Sequence, residues 1–145
     1  IMQIREILTL KSDDIHSIEP TDTVASAVDK MVSLGVGSLV VLQNGEMVGL
    51  LTERDVVHGM VKLGLGLRDV EVRAIMETEP VVANADDSVD YARDVMTKSH
   101  IGHLPILDGN KLYAIISFHD VARASLKAAN FENSLLKRYI KHWPE

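Results

Sequence analysis

The sequence holds 145 residues, of which 46% are hydrophobic and 25% charged, with a formal charge of −6 and no cysteine. The length suits one ordinary soluble domain, and the missing cysteines exclude disulfides, thiol catalysis and thiolate-bound zinc. The acidic balance and the one Trp, three Tyr and two Phe argue against a partner held through nucleic-acid phosphates or stacked bases.

In chain order, Ile1 to Glu6 lacks the basic start and apolar run of a signal peptide. No segment reaches the roughly 20 apolar residues of a membrane span, so a cytoplasmic protein without membrane contact is expected. A short strand is predicted at His16-Ser17-Ile18. Thr21-Asp22-Thr23 then starts a helix in which Val24, Ala27, Val28, Met31 and Val32 share one face. Ser38 to Leu42 is a near-continuous apolar run, the pattern of a strand buried on both faces. Asn44-Gly45 turns the chain into a second strand, Met47 to Leu51. Thr52-Glu53-Arg54-Asp55 has the hydroxyl, two residues and acid of a capping-box-like helix start. Leu63 to Leu67 reads as an exit loop.

The same order then returns. Asp22 to Val57 written above Asp87 to Ala122, at a constant offset of 65, gives ten identities in 36 pairs, among them Asp22/Asp87, Met31/Met96, Gly37/Gly102 and Asp55/Asp120. Ordinary composition gives about two. The lead-in Arg5-Glu6-Ile7-Leu8 matches Arg73-Ala74-Ile75-Met76 at an offset of 68, which places three extra residues between Thr9 and Glu19. The second copy predicts a strand at Pro80 to Ala83 and a helix with Val89, Ala92 and Met96 inward. Two strands follow, His103 to Leu107 and Leu112 to Ile116, around Asp108-Gly109-Asn110, then a helix start at Ser117-Phe118-His119-Asp120. Phe131 to His142 predicts a C-terminal helix with Leu135, Leu136, Tyr139 and Ile140 on one face. The expected fold class is therefore α/β (α+β): β-α-β-β-α repeats at residues 7–65 and 66–129, and a C-terminal helix or tail at 130–145. Two such repeats leave apolar helices without a covering layer, which predicts a homodimer.

Thr52 with Asp55 and Ser117 with Asp120 are the candidate functional pairs. A strand running into a helix N-terminus offers free N–H groups and a positive dipole end to a phosphate, and a carboxylate one turn on can take ribose hydroxyls. Helix capping alone is the alternative reading of both pairs.

The stretches Val48-Gly49-Leu50-Leu51-Thr52-Glu53-Arg54-Asp55 and Ile101-Gly102-His103-Leu104-Pro105-Ile106-Leu107-Asp108 resemble a tandem cystathionine β-synthase (CBS) domain pair, with likeness from about Ile7 to Leu126. The resemblance implies two repeats packed by their sheets around a pseudo-twofold axis, with two clefts for adenosine compounds. AMP or ATP is the expected ligand, with ADP, NAD(H) and S-adenosylmethionine as further members of the class. It implies a regulatory role, signalling energy or redox state to a partner protein not named by the sequence, without catalysis or a required cofactor. By position, adenine would lie beside Ser17, Ile18 and Val40, with Thr52 and Asp55 at the ribose and first phosphate. His103, followed by Leu104 and Pro105, would reach toward the phosphates from the other copy, and Arg54 would add a phosphate contact. The second cleft would use Val82, Ala83, Pro105, Ser117 and Asp120, with Ser38 opposite. Gly102 stands where many members carry arginine, Ala114 replaces a glycine, and His119 precedes the second acid in place of a small residue. The first departure argues against a strongly held triphosphate, and the other two favour the first cleft.

Six histidines raise the question of a metal, but none stands in a His-Glu-x-x-His spacing, so no metal site is expected. A hydrolase would need a phosphate loop or a metal-carboxylate cluster, and no G-x-x-x-x-G-K-[ST] occurs. A structural dimer with empty clefts is the alternative to a ligand sensor.

Overall fold

The computed structural model describes residues 1–8 and 15–141. The first copy forms β1 (Ser17–Ile18), α2 (Val24–Leu34), β2 (Ser38–Gln43), β3 (Glu46–Thr52) and α3 (Glu53–Leu63), preceded by a short helix α1 (Ile4–Leu8). The second copy forms β4 (Ala83–Asn84), α4 (Val89–Ser99), β5 (His103–Asp108), β6 (Lys111–Ser117) and α5 (Phe118–Lys141). Each copy builds its own three-stranded sheet, ordered β1-β2-β3 and β4-β5-β6, with the first pair parallel and the second antiparallel. The duplication extends to a register shift in each hairpin, between Val41 and Leu42 and between Ile106 and Leu107.

Local chemistry explains the boundaries. Thr23 and Ser88 cap α2 and α4 by accepting from the amides of Ser26 and Tyr91, which satisfies donors a helix start leaves free. Asn44 and Gly45 both take positive φ, as a type I′ hairpin requires. The expected exit loop is instead a 3₁₀ turn, Gly64–Asp69, because Leu67 is drawn into the interior beneath Gly59. A Cβ on Gly59 would lie 2.9 Å from Leu67 Cδ1.

Each sheet packs its helices over one face. Ile18, Ala27, Met31, Leu39, Val41 and Leu51 form the first core, and Ala83, Val89, Ala92, Met96, Leu104, Ile106 and Ile116 lie in the second. The lead-in segments cross over. Ile4, Ile7 and Leu8 complete the second core, while Val72, Ile75 and Met76 pack on the first. Matching backbone bonds tie them down: Ile4 N–H to Asp87 O and Arg5 N–H to Ala85 O on one side, Val72 N–H to Asp22 O and Arg73 N–H to Pro20 O on the other.

Two expectations change. The α2 face is narrower than predicted: Val24, Ala27 and Met31 are buried, but Val28 is half-buried and Val32 is 77% exposed. The C-terminal helix is no separate element, since α5 runs unbroken from Phe118 to Lys141. His142 lies outside the described residues.

Candidate functional site at the start of α3

Thr52 ends β3 and caps α3. Its Oγ1 accepts from the Asp55 amide at 3.3 Å, while Asp55 Oδ2 accepts from the Thr52 amide at 2.9 Å and from the Thr52 hydroxyl at 3.1 Å. Oδ1 of Asp55 takes part in none of these bonds. The Glu53 amide donates to Gly37 O, so among the first three amides of α3 only that of Arg54 has no acceptor among the described residues. This terminus opens into a cleft of about 470 Å³ between the repeats.

The far walls come from the second half of the chain. Leu50 and Glu77 exchange both backbone hydrogen bonds at 2.9 Å, which lays the segment Glu77 to Val81 alongside β3. Gly49 makes this approach possible, because a Cβ there would meet Met76 Sδ at 2.7 Å and Glu77 O at 2.9 Å. Opposite stand His100, Ile101, Gly102 and His103. Arg54 crosses the mouth and donates to His100 O at 2.5 Å. His103 folds over Gly37, where a Cβ would meet its ring at 2.9 Å and Glu53 Oε1 at 2.5 Å. The glycine thus lets an imidazole and a carboxylate converge at the helix start.

The cleft is acidic. Glu53, Asp55, Glu77 and Glu79 line it against one guanidinium, and that guanidinium is held by a carbonyl.

Of the residues expected at the first ligand site, Thr52, Arg54, Asp55 and His103 come together. Ser17 and Ile18 do not join them, because β1 lies across β2 from β3. They line a separate depression with Asp22, Lys30 and Asn44, where the Lys30 ammonium donates to Ser17 O. Val40 and Leu104 have no exposed surface, and Pro105 and Ala83 are buried. Glu77, Glu79, Pro80 and Val81 take the wall assigned to Ser17 and Ile18. No local pattern marks them, since their role comes from the pairing with Leu50. Pro80 alone hints at extended backbone.

Ser117 and Asp120 form a second cap of the same kind, with amide-to-side-chain bonds of 3.0 and 3.1 Å. His119 is exposed, Val82 is exposed ahead of β4, and Ser38 is buried opposite Thr52 in the sheet. The wall matching Glu77 to Val81 falls within residues 9–16, where the offset changes from 68 to 65, and 9–14 lie outside the described residues. Among the described residues no group of His, Asp or Glu is arranged to hold a metal ion, and no helix is long and apolar enough to cross a membrane.

Comparison with known proteins decides the family. The CBS domain matches the sequence twice, over residues 4–62 and 72–127. This chain belongs to the CBS domain family. A 17.7 kDa protein of Acidianus ambivalens is 34% identical over 86% of this chain and 73% of its own length. A mitochondrial CBS domain-containing protein of Arabidopsis thaliana is 31% identical, and the match spans 83% of this chain and 61% of that one. Among solved structures, a CBS-domain protein of Burkholderia ambifaria superposes with a TM-score of 0.83 at 28% identity, covering 87% of this chain and 95% of that one. More distant CBS structures share the fold. CBSX2, solved with AMP, has a TM-score of 0.73 at 20% identity over 89% of this chain and 99% of its own. A CBS domain pair solved with 5′-methylthioadenosine and S-adenosyl-L-methionine has a TM-score of 0.76 at 18% identity over 88% and 98%.

Proposed function

We propose that this CBS pair is a non-catalytic regulatory module that takes an adenosine compound in the cleft at the start of α3. The bound or empty state is passed to a partner protein through a homodimer built on the helix faces. The observation that carries the reading is the Thr52–Asp55 cap opening into a cleft shared by both repeats. Oδ2 of Asp55 holds the helix start, and Oδ1 remains to accept ribose hydroxyls. The AMP, methylthioadenosine and S-adenosylmethionine held by related CBS pairs support the ligand class.

The electrostatics narrow that class. One uncommitted amide at the α3 terminus suits one phosphate oxygen, while four carboxylates around a single, already bonded arginine oppose a polyphosphate. AMP and the sulfonium or thioether adenosines therefore fit better than ATP. A ligand exerts control only through different affinities for two states of the module, and a cleft walled by both repeats supplies that difference if the repeats shift relative to each other.

Calorimetric titration of the full chain with AMP, ATP, methylthioadenosine and S-adenosylmethionine tests this. The expected result is binding of at least one of the low-charge compounds, ATP at least about tenfold weaker, and loss of binding in Asp55→Ala. No heat with any of the four, or ATP as the tightest ligand, overturns it.

A further inference from the structure

The CBS match ends at residue 127, yet α5 continues to Lys141, about 21 Å of additional helix at 1.5 Å per residue. Val121, Ala124, Ala128, Phe131 and Leu135 follow one another at alternating spacings of three and four, which is a single helix face. The first part of that face packs on the body, with Val121 fully buried and Ala124 against the second core. The same stripe runs on past the body, where Phe131 is 65% exposed and Leu135 47% exposed. On the first repeat, Val28, Met31, Val32, Val36, Val56 and Val57 line an apolar groove between α2 and α3. Among the described residues nothing covers the distal stripe, and Val32 and Val57 stand exposed in the groove.

We propose that the distal half of α5 seats Phe131 and Leu135 in the α2–α3 groove of a second copy of this chain, and that the second copy returns the contact. Charge selects this pairing. Arg123, Lys127, Lys137, Arg138 and Lys141 against Asp120 and Glu132 give α5 a formal charge of +3, so the rest of the chain carries −9. Two α5 helices laid together would repel, whereas the groove belongs to the acidic body and has Glu53 in its lining. The reciprocal contact also doubles the buried area, which one helix end needs to approach the ~1,000 Å² of a specific interface. This arrangement rests on the homodimer reading and adds to it which surfaces meet.

The absence of cysteine makes the test direct. Leu135→Cys and Val57→Cys, both at exposed positions, are purified as separate full-length chains, mixed, and treated with a short thiol cross-linker. The mixture is expected to give a covalent dimer, and each variant alone is not. Self-cross-linking of Leu135→Cys shows α5 against α5 and overturns the proposal, as does a mixture that stays uncoupled. Sedimentation of the parent and of Phe131→Ser/Leu135→Ser, with helicity checked by circular dichroism, separates the two readings. The proposal expects dimerisation weakened at least about tenfold in the double variant. An undiminished dimer overturns α5 docking and leaves the homodimer standing, while a monomeric parent overturns both.

Discussion

His100 and Gly35 close α4 and α2 at equivalent positions, each in the left-handed region, with φ of 54° and 66°. Glycine adopts that conformation freely, while a side chain there costs about 1–2 kcal/mol. His100 also borders the cleft, and its carbonyl receives the Arg54 guanidinium. The strained residue therefore sits on the cleft wall, the placement expected when local stability is given up for a site. His100→Gly is predicted to stabilise the protein by about 0.5 kcal/mol, because part of the relief is returned as added freedom of the unfolded chain. Urea unfolding measures it. A destabilised variant would mean that the imidazole itself helps hold the cleft.

At the scale of elements, one side chain adds a polar tie between α1 and the opposite repeat. The Arg5 guanidinium donates to Asp86 at 3.1 Å and to Asp108 at 3.1 and 3.3 Å, and lies 5.6 Å from the centroid of the Tyr113 ring. The hydrogen bond from Arg5 holds the Asp108 carboxyl below its usual range. A depressed folded-state value stabilises the protein above the unfolded carboxyl value near about 3.9 and loses that stabilisation as pH falls through the lower folded value. Arg5→Leu is predicted to melt below the parent at neutral pH, modestly because the pair faces solvent, with the gap closing in the acid range. Thermal melts across that range check it, and a gap that widens with acid would contradict the assignment. Other elements were legible for local reasons. Val24, Ala27 and Met31 declare a helix face within eight residues, and Thr52 to Asp55 declares a cap within four. The continuity of α5 was also available, because no glycine or proline interrupts Phe118 to Lys141. The wall at Glu77 to Val81 was not, since Gly49 explains itself only once Met76 and Glu77 lie against it.

For the whole molecule, the offset of 65 describes two units in sequence, but the crossed lead-ins build each core from both. The lead-in match at an offset of 68 aligns Ile4 with Val72 without showing whose interior either enters. In the structure both have no exposed surface, and each lies in the core of the other repeat. Cutting the chain between the repeats would deprive the first core of Val72, Ile75 and Met76 and the second of Ile4, Ile7 and Leu8. The cleft at the start of α3 shares this coupling, because its walls belong to both halves. Ile4→Ala removes buried volume from the second core at a site contributed by the first lead-in, and should cost about 2–5 kcal/mol. Calorimetry should show one transition moved as a whole to lower temperature, with calorimetric and van't Hoff enthalpies still equal. Two separated transitions, with only the second repeat's shifted, would show that the halves fold independently and that the crossing carries no cooperativity.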